Sequence, residues 1–192
     1  SKRPVIIFGN AIRSSGSIEL FKGFVEKNNY PVVYTGSAVD VYGTENKLSM
    51  GVLSAMAGNR AANFAVQNSD FILVLGNRLT AMATGNAPEK FARAAKIYTV
   101  DIDQNEHKKG NINVDRNIIA DVKDVLEKLN KKSLKETSKD WQDKCLEWKK
   151  VFPKVEDFYK NELEVDLYQL AGALSSKMSN DDILVTDAGL EE

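Results

Sequence analysis

The chain begins with Pro4-Val5-Ile6-Ile7-Phe8, a short unbroken apolar run closed by Gly9-Asn10. A strand covered on both faces has this pattern, because none of its positions has to meet water. Behind Ser17, the residues Ile18, Leu20, Phe21, Phe24 and Val25 recur at helical spacing, with Ser17 as the candidate N-cap and Asn28-Asn29-Tyr30-Pro31 as the stop. Residues 31–35 give a second strand that ends at Gly36. Strand, helix, strand is the unit of a parallel sheet, since parallel neighbours need a crossover connection.

From 36 to 58 the pattern weakens into a long irregular stretch, of the kind that is often functional in a compact domain. Ala61, Ala62 and Ala65 mark a small-faced helix over 59–68, and Phe71-Ile72-Leu73-Val74-Leu75 is the clearest buried strand, closed by Gly76. The pattern then predicts a helix over 88–95 with Pro88 in its first turn, and a strand at 97–100 running into Asp101-Ile102-Asp103. A short strand over 117–120 follows, then a helix capped by Asp121 whose stripe is Val122, Val125, Leu126 and Leu129. The fold class is α/β, a doubly wound, mostly parallel sheet of Rossmann-like topology.

The polar stretch 131–138 is the candidate linker. Beyond it Trp141, Cys145, Trp148 and Phe152 lie on one helical face that needs a partner. Leu167, Leu170, Ala171, Leu174 and Met178 form another stripe, and Ile183-Leu184-Val185-Thr186-Asp187 another buried-type strand. A helix and strand of this kind normally open a new unit. The expected organisation is therefore a nucleotide-binding-like domain over 1–130, a helical connector over 131–164, and the start of a further domain over 165–192, where 190–192 are open to a non-native origin. Residues 165–189 should then pack poorly by themselves, lie at a sheet edge or pair with another copy.

Composition narrows the function classes. The 192 residues carry 26 Lys and Arg against 27 Asp and Glu, a formal net charge of −1, which gives no overall field for nucleic acid or an anionic membrane. No apolar run approaches the roughly 18 residues that span a bilayer. One cysteine and one histidine cannot assemble a Cys/His zinc set, and the lone thiol suits a reducing, cytoplasmic setting.

Candidate chemistry gathers at strand ends. Gly9-Asn10-Ala11, Gly36-Ser37, Gly76-Asn77-Arg78 and Asp101-Ile102-Asp103 each follow a strand, which is where open parallel sheets bind ligands. A nucleotide suits that layout, although each glycine alone also reads as a turn residue. The dinucleotide fingerprint is not met: Gly9-x-Ala11-x-x-Ser14 lacks two of its three glycines, and no acid closes the second strand. Asp101 and Asp103 offer that acid later, as ribose ligands or as caps. Arg13 and Arg78 offer forked donors for phosphate, or plain surface charge. His107, in a polar run, reads as exposed; Cys145 reads as a small hydrophobe; Asp181-Asp182 read as a turn. No catalytic constellation emerges.

The run Gly58-Asn59-Arg60-Ala61-Ala62-Asn63-Phe64-Ala65-Val66-Gln67-Asn68-Ser69-Asp70, followed by Leu73-Val74-Leu75-Gly76-Asn77-Arg78-Leu79 and Thr84-Gly85-Asn86, resembles the central domain of thiamine-diphosphate-dependent enzymes of the acetolactate synthase group. Val100-Asp101-Ile102-Asp103 with Glu106, and the opening Arg3 to Gly9, extend the likeness in order along nearly the whole chain. The resemblance implies a three-domain subunit in a homo-oligomer, with thiamine diphosphate and Mg2+ held by the other domains of the same polypeptide. On it, 167–189 would begin the C-terminal domain and this segment alone would catalyse nothing.

The resemblance also implies FAD or ADP in this domain, or nothing. The matched positions are Gly9, Asn10, Ala11, Gly36, Gly76, Asn77, Arg78, Asp101, Ile102 and Asp103, with Asp121 and Val122 nearer an adenine. The sequence departs from the group's pattern at Gly9-Asn10-Ala11, at Ser54-Ala55-Met56-Ala57-Gly58 and at Leu79-Thr80-Ala81-Met82-Ala83, the places where flavin and its diphosphate would lie.

Overall fold

The computed structural model of the chain describes residues 1–110, 112–159, 164–179 and 181–185, leaving aside the side chains of His107 and Phe158. The first apolar run forms β1 (Pro4–Phe8), all of it buried. Its alternation explains why every position is apolar. Val5 and Ile7 belong to one core cluster and Ile6 and Phe8 to the other, as a period of two requires between two helical layers.

A single turn, α1 (Ala11–Ser14), leads into α2 (Ile18–Asn28), which starts behind Ser17 and stops where Asn29 turns left-handed, φ 53°. β2 (Val32–Tyr34) returns parallel to β1, with Ile6 opposite Val32. The stretch expected to be irregular contains β3 (Ser49–Val52), parallel to β2 with a shift of register. Then come α3 (Arg60–Asn68), β4 (Phe71–Leu75), the turn α4 (Ala81–Thr84), β5 (Lys96–Asp101), β6 (Arg116–Ile119), α5 (Val122–Asn130), α6 (Lys139–Val151) and α7 (Leu167–Lys177).

The sheet order is β3-β2-β1-β4-β5-β6, and every pair is parallel. The chain builds outward from β1 to β3, crosses back through α3, and lays β4 against the other side of β1. That reversal is the topological switch point of a doubly wound fold. Phe21, Phe24 and Val25 of α2 and Leu126 of α5 cover one face of the sheet. Ala62, Ala65 and Val66 of α3, with Trp141 and Cys145 of α6, cover the other.

Two helices differ from the sequence expectation. The helix over 88–95 shrinks to a 3-10 turn, Pro88–Lys90, and Ala92 takes a left-handed φ of 44°. α6, expected within a connector, completes a layer of the first domain. Trp141 is 4% exposed and its Nε1 donates to Pro4 O at 3.0 Å, while Trp148 stacks on Phe64 of α3 at 5.7 Å. The polar stretch before it is strapped to α2: Thr137 N donates to Asn28 O at 3.1 Å and Tyr30 Oη to Lys135 O at 3.0 Å. The chain accordingly divides into two compact units, Ser1–Val151 and Phe152–Glu192.

In the second unit, Asp166 caps α7 by accepting Tyr168 N–H at 2.8 Å, and Tyr168 stacks on Tyr159 at 4.6 Å. None of the α7 residues is buried. Ile183, Leu184 and Val185, expected as a strand, are exposed and join no strand of the sheet; Thr186 and Asp187 lie outside the described residues. No helix among the described residues is long and apolar enough to cross a membrane.

Candidate functional site

The strand-end residues separate into two groups on either side of the switch point. At the ends of β1 and β2 the polar groups are engaged with one another. A Cβ on Gly9 would lie 2.3 Å from Gly76 O, and Gly76, at φ 55°, has room for none because Ala11 Cβ would be 2.1 Å away. These two glycines therefore let β1 and β4 close on each other. Asn77 completes the closure. Its Nδ2 donates to Phe8 O and Thr35 Oγ1, both at 3.0 Å, and its Oδ1 accepts Leu79 N–H at 3.0 Å, so one side chain ties the ends of β1, β2 and β4.

The exposed Asn10 accepts from Arg13 through Oδ1, and Arg13 pairs with Asp40, its Nε donating to Oδ2 at 3.0 Å. Arg13, a candidate phosphate donor from the sequence, thus already holds a carboxylate. Gly36 is the exception on this side: a Cβ there would meet nothing within 4 Å.

The ends of β4, β5 and β6 are open. A cavity of about 390 Å³ lies there, lined among others by Asn77, Arg78, Thr99, Asp101, Glu106 and Asn117. Such a volume falls near the lower bound of small-molecule sites, which run to roughly 300–1,000 Å³. Asp101 ends β5 and its Oδ1 accepts Asp103 N–H at 3.0 Å; Asp103 in turn accepts Asn105 N–H at 2.8 Å and starts a 3-10 turn, Glu106–Lys108. That turn delivers Glu106 to the cavity wall, 13% exposed. Arg78 Nε lies 3.3 Å from Glu106 Oε1, and Lys109 pairs with Oε2 of the same carboxylate.

Of the twelve matched positions, Asn77, Arg78 and Asp101 line this cavity. Ile102, 70% exposed, and Asp103 follow it on the outside of the loop. Asp121 caps α5 by accepting Lys123 N–H at 2.7 Å, and Val122 is buried beneath Gly76 and Ala11. Val122 therefore serves the core.

Sequence reasoning gave no role to Thr99, Glu106, Lys109 or Asn117. Thr99 faces Asn117 across the β5–β6 register and donates from Oγ1 to Asn117 Oδ1 at 2.7 Å. A threonine near the end of an otherwise apolar strand was the available signal. Cys145 lies far from this chemistry, within the sheet–α6 core, where burial pushes its thiol up to about 12. Among the described residues no group of three or more His, Cys, Asp or Glu side chains is placed to hold a metal ion.

A six-stranded parallel sheet in this order, with a cavity beyond its strand ends, defines the first unit as a doubly wound α/β domain. The match to known proteins is more specific. Residues 1–129 match the family described as thiamine pyrophosphate enzyme, central domain, and the chain belongs to that family. It is 38% identical over 129 residues to the acetolactate synthase large subunit of Lactococcus lactis, an alignment covering 67% of this chain and 22% of that protein. It is 32% identical over 197 residues to the probable acetolactate synthase large subunit of Methanocaldococcus jannaschii, covering 98% of this chain and 33% of the relative. For acetolactate synthase 1, chloroplastic, of Zea mays the identity is 36% over 159 residues, covering 80% and 24%. The chain thus spans about a fifth to a third of the length of these relatives.

Proposed function

We propose that this chain is the central part of a longer thiamine-diphosphate-dependent enzyme that decarboxylates a 2-oxo acid and joins the fragment to a second carbonyl, as acetolactate synthases do. The observation that carries the reading is the alignment with the Methanocaldococcus relative, which covers 98% of the chain and so runs through both compact units. On this reading residues 165–192 begin the domain that follows, and the exposed stripe of α7 is covered there. Thiamine diphosphate would supply the ylid and the carbanion sink, with Mg2+ anchoring its diphosphate on other domains of a cytoplasmic homo-oligomer. This chain contributes no catalytic group, only packing and a nucleotide.

The nucleotide we assign is ADP-sized and sits beyond β4, β5 and β6. On this reading Asp101, on the cavity wall, takes a ribose hydroxyl and Arg78, on the same wall, a phosphate. An extended FAD would also need donors over β1 and β2, and there Asn10, Arg13 and Asn77 are held by their own neighbours. The residues present therefore suit a mononucleotide better than a flavin dinucleotide.

The test uses the whole polypeptide that contains these residues, supplied with thiamine diphosphate, Mg2+ and pyruvate or another 2-oxo acid. Release of CO2 with formation of a 2-hydroxy ketone product is expected; no turnover of any 2-oxo acid overturns the enzymatic reading. Heating the purified protein should release an adenine mononucleotide. A yellow protein would replace ADP by FAD, and release of nothing, together with no ADP binding by calorimetry, would leave a purely structural domain.

A further inference from the structure

The cavity already contains an anion of the chain's own. Glu106 is nearly buried, and both of its oxygens are committed to cations from different segments, Arg78 at the end of β4 and Lys109 in the loop beyond the 3-10 turn. A carboxylate paired with the Nε of a guanidinium and with an ammonium occupies positive charge that a phosphate would otherwise meet. Glu106 thus pairs with both cations, and Asp101 adds a second carboxylate to the cavity wall.

We infer that Glu106 is an internal stand-in for the ligand's phosphate and sets how strongly the cavity favours charged over uncharged adenine ligands. The inference rests on the nucleotide reading above and concerns the same site. Its physical basis is simple. A diphosphate that reaches Arg78 must either displace the Glu106 carboxylate or lie beside it, and like charges at contact distance in a partly enclosed site repel much more than they do in water. An uncharged nucleoside meets no such competitor. Glu106 is therefore a specificity-determining residue that weakens phosphate binding, while Asp101, Thr99 and Asn117 are left to recognise the uncharged part.

Neutralising the side chain without changing its shape isolates this effect. In the whole polypeptide, isothermal calorimetry with Glu106→Gln should show ADP binding about tenfold more tightly than in the unaltered protein, with adenosine within about twofold. The gain should shrink as salt rises, because it comes from freed positive charge. Lys109→Met, which leaves Glu106 charged with one cation fewer, should weaken ADP and spare adenosine. It serves as the second measurement should the first variant fold badly. Equal changes for ADP and adenosine, or weaker ADP binding in Glu106→Gln, overturn the inference while leaving the nucleotide reading intact. No binding of either ligand to the unaltered protein or the variants overturns that reading, and the inference with it.

Discussion

Gly76 is the residue on which the switch point depends. Its φ of 55° belongs to the left-handed region, and a Cβ would fall 2.1 Å from Ala11 Cβ and 3.2 Å from Val122 Cγ2. Strain and overlap act together here, because α1 and α5 converge on this one point. Gly76→Ala should cost about 2–4 kcal/mol, from the left-handed penalty plus overpacking, and urea unfolding would show it as a lower midpoint at unchanged slope. Gly36→Ala, where a Cβ meets nothing, serves as the control and should leave the midpoint close to the unaltered value. A Gly76→Ala midpoint matching the control would mean that the glycine is required by a ligand rather than by packing. Asn77 makes the same point for polar side chains: all its hydrogen bonds at the strand ends are internal, so its position beside a cavity does not by itself make it a ligand contact.

Among the elements, α6 shows how an amphipathic face finds its partner. Trp141, Cys145 and Trp148 lie one above another, and the face fits the small-residue surface that Ala62 and Ala65 leave on α3. Cys145 reports on this packing through its proton. Its ordinary value near 9.0 is raised to about 12 by burial, so the folded chain keeps a proton that the unfolded chain releases. The associated stability is fully present below pH 9 and lost as pH rises toward 12. Cys145→Ala should therefore show a shallower loss of stability over that alkaline window, measured by urea midpoints at successive pH values. The folded thiol should also react with a thiol reagent at pH 8 only at the rate of unfolding. Reaction at the rate of a free thiol would place α6 off the sheet.

At the scale of the whole molecule the two units differ in what they bury. The first has helices on both faces of a complete sheet, whereas α7 leaves Leu167, Leu170 and Leu174 between 38% and 49% exposed. A stripe so exposed leaves the helix held mainly by its own hydrogen bonds, the Asp166 cap and the stack of Tyr168 on Tyr159. Amide exchange over 167–177 should be fast in the 192-residue chain, slower than coil by about tenfold or less, and strongly protected in the whole polypeptide. Equal protection in both would mean that α7 is stabilised within this chain, and would remove the reason for assigning it to a following domain.

The sequence alone located the strands of nearly unbroken apolar runs, because such a run has to be covered on both faces: β1, β4 and, with Thr99 as its polar position, the core of β5 stand where the runs stand. It also determined the Asp121 cap and the start of α2 behind Ser17, although the Ser17 side chain makes no cap hydrogen bond, as well as the α3 and α6 faces and, through the run from Gly58 to Asn86, the family. It did not show β3, since Ser49-Met50-Gly51-Val52 mixes small and polar residues and is a strand only because β2 offers it a partner. It overstated 88–95, where Ala92 turns left-handed and breaks the helical repeat. The order of the strands, the boundary at Val151 and the cavity were decided by the tertiary structure, because each depends on residues far apart in the chain. Glu106 is the clearest instance. Along the sequence it stands out only as a match of the family resemblance, and it acquires a role only when the pairing of β4 with β5 brings Arg78 to its carboxylate.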